Sequence, residues 1–345
     1  MEGALRLLQP TPCPGAATSE RMACLHTYSE VYGWALRPGV RLPIAGGHIT
    51  VNAEGRRGAE RGRSPSRPRL VSLGDSVAFG LDVDDEATLA AQLRRLEPSL
   101  DVFDLSVPGY GTDQELIKLE REGLGLEPHV VVLNFTVAND LVDNALDTFL
   151  YDGVHPKPYF RLEADALRRH DAHLRLGPSA RAAVWLSERS LLFNRLAPAR
   201  ARPAETSRAE GDGAVHWQTR YNEALARPEP LVALAARLLE EMAERARGAG
   251  ASLVVVAHPS RRSFVEGAPP WLDALRRRLG PRGVSLVDLA ERYRARGLGL
   301  SELATDGLGH LNAEGHRAAA EAIRDALEER RAAFRPSPSS PPLPE

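Results

Sequence analysis

Five short apolar runs divide the central and C-terminal parts of the chain at regular intervals. They cover residues 70–73, 101–105, 129–135, 251–257 and 284–288. Short apolar runs bounded by turn residues are typical of buried strands, and an unbroken run such as 129–135 indicates a strand covered on both faces. Helical patterns separate these runs. The alternation predicts a three-layer α/β/α sandwich around a doubly wound parallel sheet with right-handed crossovers.

The segments between the runs have the apolar spacing of amphipathic helices. In the segment 86–96, leucines recur at 89, 93 and 96, with Asp84 or Asp85 as the predicted cap. A second helix is expected at 113–122, with Thr112 as its cap. The same spacing predicts later helices at residues 230–249, 271–279 and 314–332.

This rhythm is interrupted between residues 141 and 225. Apart from a short extended piece at 157–162, a helix at 180–196 and a loop at 198–213, the segment has no clear periodicity. Insertions of this length commonly shape a substrate site. The predicted α/β domain is therefore 69–333, with an insertion at 141–225.

Two kinds of segment lie outside that domain. Residues 26–68 contain short apolar stretches with Gly and Pro turns, which predict a small β appendage followed by a polar linker. Residues 1–25 and 334–345 are rich in Pro, Ala or Ser without periodicity, which predicts disorder.

Composition excludes several function classes. The chain has 345 residues, is 43% hydrophobic and 26% charged, and carries a net charge of −2, so it has no general attraction for nucleic acid or anionic membranes. Cys13 and Cys24 lack metal-binding spacing; a disulfide between them is open. Lysine occurs only at 118 and 157, which indicates a coding bias toward arginine.

Nothing in the sequence predicts a membrane segment or an export signal. No apolar run approaches the roughly 18 residues that span a bilayer, and the N-terminus lacks a basic region followed by an apolar core. A cytoplasmic location is therefore expected for this sequence, and export stays open if the true start lies upstream. The oligomeric state is not indicated.

The candidate chemistry starts at Gly74-Asp75-Ser76, directly after the first apolar run. Such residues are common in turns, so the tripeptide gains meaning only from partners. In open α/β sheets, ligands bind at the carboxyl ends of the strands. A serine nucleophile there needs a base, which His310 can supply, and an acid that orients the base, which Asp306 can supply.

A tetrahedral intermediate also needs donors for its oxyanion. Gly109 follows the second predicted strand and Asn139 follows the third. The backbone N–H groups of Ser76 and Gly109 and the side-chain amide of Asn139 are therefore the predicted oxyanion hole. No metal or organic cofactor is needed for this chemistry.

These residues lie in four blocks that resemble those of the SGNH (GDSL-type) hydrolases, in the family's order. The blocks are GDS at 74–76, SVPGYGT at 106–112, VAND at 137–140 and DGLGHLNAEGH at 306–316. The resemblance spans 69–332 and implies a flavodoxin-like sheet of order 2-1-3-4-5. It carries a nucleophile to Ser76, oxyanion donors to Gly109 and Asn139, and a base to His310. The preceding HTYSEVYGWALRPG and NAEGRRG resemble an N-terminal region of a bacterial branch of the family.

Two positions depart from the family pattern. The family usually has Asp three residues before the histidine, where this chain has Gly307, so Asp306, four residues before, is the predicted acid. The third block normally has Gly where this chain has Val137, a larger residue that could crowd the oxyanion pocket.

Other polar candidates have plainer expected roles. His316 lies on the last predicted helix and is expected to be structural. Asp75 and Asp140 are expected to cap turns or bond loops. His170 and His173 have the spacing of a metal pair, but without a third ligand a solvated face is favoured.

The aromatic residues of the insertion and the polar residues of the NAEGRRG loop each allow two roles. Trp185, Trp217 and Tyr159 could line a substrate surface, although core packing is commoner for aromatic residues. Asn52 and Arg57 could touch the site, but a role in pinning the β appendage is favoured.

The sequence therefore predicts a serine esterase acting on a small-molecule or glycan ester, such as an O-acetyl group on a carbohydrate, through an acyl-enzyme. One alternative is an O-acyltransferase, in which a sugar hydroxyl replaces water. A second alternative is a carbohydrate-binding module without catalysis, which the intact Ser, Gly, Asn and His set disfavours.

Overall fold

The computed structural model describes residues 24–64, 66–151, 153, 155–190, 192 and 212–333. Most of the predicted N-terminal disorder, the whole predicted C-terminal tail and most of the predicted loop at 198–213 lie outside the described residues. Cys13 also lies outside them.

The centre of the molecule is a parallel five-stranded sheet. Its strands are, in chain order, β5 (Arg69–Gly74), β6 (Asp101–Asp104), β7 (Val130–Thr136), β10 (Ser252–His258) and β11 (Ser285–Asp288). Hydrogen bonding gives the order β6-β5-β7-β10-β11. Counted along the chain this order is 2-1-3-4-5, which confirms the predicted flavodoxin-like topology.

Alternating side chains of the sheet pack against a separate layer on each face. On one face Val71, Leu73 and Leu133 belong to a large buried cluster, and on the other Leu70 and Val132 belong to a second one. Successive side chains of a strand point to opposite faces, so buried strands need apolar residues at every position. For this reason the apolar runs in the sequence are unbroken.

Helices form the two outer layers. Those between the first sheet strands are α1 (Ser76–Phe79), α2 (Leu89–Leu96), α3 (Thr112–Lys118) and α4 (Asp140–Asp143). Those of the insertion are α5 (Pro178–Arg189) and α6 (Asp212–Leu225). The later ones are α7 (Pro228–Gly248), α8 (Arg261–Glu266), α9 (Pro270–Leu279), α10 (Leu289–Ala295), α11 (Leu300–Leu303) and α12 (Ala313–Ala333). Within the described ranges, none of these helices combines the length and apolarity required to cross a membrane.

Two predicted helix starts are wrong in detail. Thr88 caps α2 by accepting a hydrogen bond from Ala91, while Asp84 caps a separate 3₁₀ turn before it. Thr112 is the first residue of α3 rather than its cap. The cap is Gly111, whose N–H donates to the side chain of Gln114.

The insertion contains more regular structure than predicted. The expected extended piece is one arm of an antiparallel hairpin formed by β8 (Tyr159–Glu163) and β9 (Ala166–His170). In its turn, Ala164 and Asp165 adopt positive φ. Gly and Asn are the residues usually found in this conformation, so the sequence carried no signal for the turn. Helix α5 begins near the predicted position but ends at Arg189, with the extended Ser190 as its C-cap, so the predicted end at residue 196 is wrong.

The N-terminal appendage, residues 24–60, consists of two β-hairpins. They pair β1 (His26–Ser29) with β2 (Gly33–Leu36), and β3 (Arg41–Ile44) with β4 (Gly47–Thr50). Trp34 and Ile49 belong to the same buried cluster as Val71 and Leu73 of the sheet. The appendage therefore shares a hydrophobic core with the sheet.

Candidate active site

Ser76 is the first residue of α1, directly after the tight turn that follows β5 at the carboxyl edge of the sheet. Asp75 caps the helix through a 2.9 Å bond from the N–H of Val77. A Cβ on Gly74 would lie 2.6 Å from Cβ of Ala78, so only glycine lets the helix start this close to the strand. Helix α1 ends after one turn at Gly80, which adopts φ 77°.

His310 is brought to Ser76 by the loop before α12. Its Nε2 lies 2.8 Å from Oγ of Ser76. Gly309 has φ +101°, and a Cβ there would lie 2.5 Å from the carbonyl oxygen of Pro259. The loop therefore needs glycine at 309 to bring the imidazole of His310 to Ser76.

Asp306 contacts the other ring nitrogen of His310. Its Oδ2 lies 2.5 Å from Nδ1, and its Oδ1 accepts bonds of 3.0–3.1 Å from the N–H groups of Leu308, Gly309 and His310. The loop folds around the carboxylate, so a spacing of four residues brings acid and base into contact. Gly307, at the family's usual acid position, contributes no carboxyl group.

Asp306 and His310 each stabilise the charged form of the other. Burial lowers the pKa of His310, but the hydrogen bond and charge of Asp306 outweigh it, so the pKa is raised above 6.5. Burial raises the pKa of Asp306, and the contacts with His310 and the backbone N–H groups reverse this and lower it. Because an ionised carboxylate only accepts, this contact places a proton on Nδ1 and leaves Nε2 as an acceptor facing Oγ of Ser76.

Gly109 lies on the loop after β6, and this loop is hydrogen-bonded to the end of β5, the strand that precedes Ser76. The N–H of Val107 donates to the carbonyl of Gly74 at 2.9 Å. Gly109 has φ +82°, and a Cβ there would lie 2.7 Å from the ring of Phe149. The glycine thus allows an aromatic ring from the insertion to approach the loop.

Asn139 lies after β7, and its side-chain nitrogen faces carboxylates. It donates to Oδ2 of Asp143 at 2.8 Å and to Oδ2 of Asp75 at 3.2 Å. An amide nitrogen carries two hydrogens, so reaching an oxyanion requires Asn139 to give up one of these bonds. Val137 packs with Ala257 and Leu272 in a small apolar cluster, which directs its side chain into the core.

A buried acidic cluster surrounds Asn139, and sequence reasoning missed it. Its carboxyl groups are each at most 1% exposed and belong to Asp75, Asp113, Glu115, Asp140 and Asp143. Lys157, fully buried, forms an ion pair with Asp113 and donates to the carbonyl of Asp143 at 2.9 Å. The insertion therefore supplies a cation beneath the candidate site.

Burial dominates the acid–base behaviour of this cluster. It raises the pKa of Asp143 to about 7, with Lys157 opposing the shift. It raises the pKa values of Glu115 and Asp140 well above the usual range, and neighbouring carboxylates raise them further. Burial and the mutual repulsion of the carboxylates therefore both favour the protonated forms of these groups.

The remaining polar candidates have structural contacts. Asp75 caps α1, and Asp140 accepts from the N–H of Thr136 at 2.7 Å, as predicted. His316 is fully buried on α12. His170 stacks on Tyr159 at 4.9 Å, and His173 donates to the carbonyl of Lys157 at 3.0 Å.

The aromatic residues of the insertion are not all packed inside. Trp185 is 55% exposed because most of α5 lies at the surface, so the expectation of core packing is wrong for it. Trp217 packs against Tyr151 at 5.3 Å, and Tyr151 against Phe149 at 5.4 Å. This aromatic row, Phe149–Tyr151–Trp217, leads from Gly109 to α6. Tyr151 and Trp217 also line a cavity of about 350 Å³.

One sequence signal could have identified the buried lysines. Among 44 basic residues, only Lys118 and Lys157 are lysines. Lys118 is 4% exposed and bonds Glu122 at 2.8 Å, and Lys157 bonds Asp113. Both exceptions to the arginine bias are therefore buried ion-pair partners.

Several solved structures are similar to this chain in fold. The lipase/acylhydrolase from Enterococcus faecalis is 14% identical, with a TM-score of 0.38, covering 76% of this chain and 96% of that one. TesA is 14% identical, with a TM-score of 0.40, covering 76% and 98%. A two-domain esterase active on acetylated mannans is 13% identical, with a TM-score of 0.39, covering 80% and 52%. None of these similarities assigns a substrate to this chain.

The match to a protein family is more specific. No curated protein matches the chain. The profile of the GDSL-like Lipase/Acylhydrolase family matches residues 72–318, which include Ser76, Gly109, Asn139, Asp306 and His310. The match spans most of the chain, and the sheet order agrees with the fold predicted for an SGNH hydrolase. The chain therefore belongs to the GDSL-like lipase/acylhydrolase family.

Proposed function

We propose that this protein is a serine esterase that cleaves a carboxylic ester of a small acyl group through an acyl-enzyme. Ser76 is the nucleophile, His310 the base and then the acid, and Asp306 the group that orients His310. The observation that carries the proposal is the continuous contact from Oγ of Ser76 to Nε2 of His310 (2.8 Å) and from Nδ1 to Asp306 (2.5 Å).

The reaction has two balanced halves. Oγ of Ser76 attacks the ester carbonyl carbon while Nε2 of His310 takes its proton, and His310 then returns that proton to the leaving alcohol as the C–O bond breaks. In the second half, water attacks the acyl carbon while Nε2 of His310 takes its proton. The bond from that carbon to Oγ of Ser76 then breaks, the acid leaves, and His310 returns the proton to Oγ. Asp306 stabilises the imidazolium in both halves without itself taking the proton.

The oxyanion is stabilised by donors from three strand ends. We assign the backbone N–H groups of Ser76 and Gly109 and the amide of Asn139 to this role. Each such donor is typically worth about 10²–10³-fold in rate. Asn139 joins them by exchanging its bond to Asp75 or Asp143 for one to the oxyanion.

A small acyl group fits the surroundings of Gly109. The ring of Phe149 packs directly over this glycine, at 2.7 Å from the position a Cβ would occupy. Such a ring leaves little room for a long acyl chain beside the oxyanion donors. An acetyl ester, including an O-acetyl group on a carbohydrate, is the proposed substrate class.

Hydrolysis of p-nitrophenyl acetate tests this function. The wild-type protein should release nitrophenol, and Ser76→Ala should lower the rate by several orders of magnitude. Ser301→Ala, an exposed serine on α11, is the matched control and should retain full activity. Equal rates for Ser76→Ala and wild type would contradict the proposal.

Acyl transfer to a glycan is the second candidate. The aromatic row Phe149–Tyr151–Trp217 supports it, because aromatic rings that begin next to the proposed oxyanion donor Gly109 can hold a sugar acceptor and exclude water. Adding a sugar acceptor to the same assay separates the two reactions. Nitrophenol release that requires the acceptor favours transfer, and release that is independent of it favours hydrolysis.

A further inference from the structure

Arg57 of the N-terminal appendage binds the C-terminal end of the helix that begins at Ser76. Nη1 donates to the carbonyls of Phe79 (3.1 Å) and Gly80 (2.8 Å), and Nη2 donates to that of Val83 (2.6 Å). Nε bonds Oδ1 of Asp85 at 2.6 Å. The guanidinium also lies 4.7 Å from the ring centroid of Phe79, and the residue is 4% exposed.

These contacts fix a helix that is too short to be rigid by itself. Helix α1 is four residues long, so one turn separates Arg57 from the nucleophile. The carbonyls at a helix end lack partners within the helix and attract cations. Asp75 secures the start of α1 and Arg57 its end. A shift at either end therefore moves Oγ of Ser76 relative to His310.

Trp34 of the same appendage binds the peptide unit that carries the N–H of Gly109, one of the three predicted oxyanion donors. Its Nε1 donates to the carbonyl of Pro108 at 3.0 Å, and its own carbonyl accepts from the hydroxyl of Tyr110 at 2.7 Å. The Pro108 carbonyl and the Gly109 N–H belong to one planar trans peptide and point in opposite directions. Holding the carbonyl thus fixes where the Gly109 N–H points.

The Gly109 peptide needs such a constraint. Gly109 has φ +82°, and glycine occupies positive and negative φ with similar ease, so this peptide can rotate at little cost. The bond from the buried Trp34 opposes that rotation. The contact from Trp34 thus acts on the peptide that carries the Gly109 N–H, and the contacts from Arg57 act on backbone one helical turn from Ser76.

We propose that the N-terminal appendage is part of the catalytic centre, with Arg57 as the positioning residue for Ser76 and Trp34 as the positioning residue for the Gly109 N–H. This inference rests on the proposed serine esterase function. Neither residue touches the reacting atoms; each acts through the backbone it binds. Misplacement of a reacting group by about 1 Å can cost on the order of 10²-fold in rate.

The test compares Arg57→Ala, Arg57→Lys and Trp34→Phe in the full-length protein. The readouts are the second-order rate of fluorophosphonate labelling and the kcat and KM for p-nitrophenyl acetate, with circular dichroism verifying the fold. We expect kcat and the labelling rate to fall about 10–100-fold for the Arg57 variants and about 3–10-fold for Trp34→Phe, with KM within about twofold. Arg41→Ala and Trp271→Phe are the matched controls and should resemble wild type.

Rescue separates positioning from general destabilisation. Millimolar guanidinium chloride should restore at least part of the labelling rate of Arg57→Ala, and sodium chloride at equal ionic strength should not. Wild-type labelling rates in Trp34→Phe and in a folded Arg57 variant would overturn the proposal. If the labelling rate falls only in the variants of one of the two residues, the positioning role holds for that residue and is overturned for the other. If both Arg57 variants unfold, Trp34→Phe decides between the two outcomes.

The same experiment distinguishes this inference from the proposed function. If the wild-type protein does not label at Ser76, the serine esterase function fails. If wild type labels and the variants label equally fast, only the role of the appendage fails.

Discussion

Oδ2 of Asp306 lies 2.5 Å from Nδ1 of His310, although this acid stands one position farther from its histidine than the family pattern places it. The contact is possible because Oδ1 accepts three backbone N–H groups of the intervening loop, from Leu308, Gly309 and His310. The backbone of the loop therefore holds the Asp306 carboxylate in position independently of its contact with the imidazole ring.

Replacing Asp306 tests this relationship. Asp306→Asn should lower kcat on the order of 10⁴-fold, because an amide can hold the wrong tautomer of His310 and cannot stabilise an imidazolium. Steady-state kinetics on p-nitrophenyl acetate measure the loss. Glu314→Gln, an exposed acid at the start of α12, is the control for removal of one negative charge. Near-normal activity of Asp306→Asn would show that another group orients His310.

The pH dependence gives a separate check of the same pair. His310 acts as a base only when neutral, and its pKa is raised above 6.5, so kcat/KM of wild type should fall with decreasing pH through a value above 6.5. In Asp306→Asn the carboxylate that raises the pKa of His310 is gone, while the burial that lowers this pKa remains. The acidic limb of the residual activity should therefore move to lower pH than in wild type. An acidic limb that stays in place would contradict the assignment.

Gly309 and Gly307 form a matched pair within the same loop. Gly309→Ala should destabilise the protein by about 1–3 kcal/mol and lower kcat at least tenfold, because its φ is +101° and its Cβ would collide with Pro259. Gly307→Ala should change neither quantity appreciably, since nothing lies within 4 Å of its added Cβ. Thermal unfolding and kinetics measure both. Equal effects at the two positions would contradict the loop geometry.

The two lysines should differ in their contribution to stability. Lys157→Met should cost about 3–5 kcal/mol, because it leaves buried carboxylates without their cation. Removing the cation raises the pKa values of these carboxyl groups in the folded state further. The folded protein then binds protons that the unfolded chain has already released, so the free energy of unfolding decreases as pH rises. Denaturant unfolding should therefore show a larger loss at pH 8 than at pH 5.

Lys118→Met is the comparison. Its partner Glu122 is 29% exposed in its side chain and can be hydrated, so the loss should be smaller. An equal loss for both lysines, or one that does not grow toward pH 8 for Lys157→Met, would contradict the proposed role of Lys157 in the acidic cluster.

Buried histidines should make the fold sensitive to acid. Burial lowers the pKa of His316 to about 3. Between pH 6.5 and about 3 the unfolded chain takes up a proton there that the folded chain does not, so stability falls as pH falls. His316→Leu should reduce the slope of unfolding free energy against pH by up to about 1.4 kcal/mol per pH unit. An unchanged slope in denaturant titrations would contradict this.

The sheet could be predicted from the sequence because the burial of each strand is visible within a few consecutive residues. A strand buried on both faces needs an apolar residue at every position, as in β7 and β10, and few elements besides such a strand require so short an unbroken run. The hairpin β8–β9 could not be predicted. It lies at the surface with mixed polar residues, and its turn at Ala164 and Asp165 lacks the usual glycine or asparagine.

At the site, the motif blocks predicted roles for Ser76, Gly109, Asn139 and His310, and chemistry indicated Asp306; the structure brings Ser76, His310 and Asp306 into contact. The acidic cluster and the contacts of Arg57 could not be anticipated. Charged residues normally predict exposure, and their burial depends on partners distant in sequence, such as Lys157 for Asp113. Only the packed chain reveals such pairs.

Fluorophosphonate labelling followed by intact-mass and peptide analysis tests the central claim most directly. A fluorophosphonate reacts with a serine activated by a neighbouring base, and so reports the Ser76–His310 contact in the folded protein. We expect one adduct per chain, on Ser76, absent in Ser76→Ala. No adduct on the folded wild-type protein, or an adduct on a different serine, would contradict the assignment of Ser76 as the nucleophile.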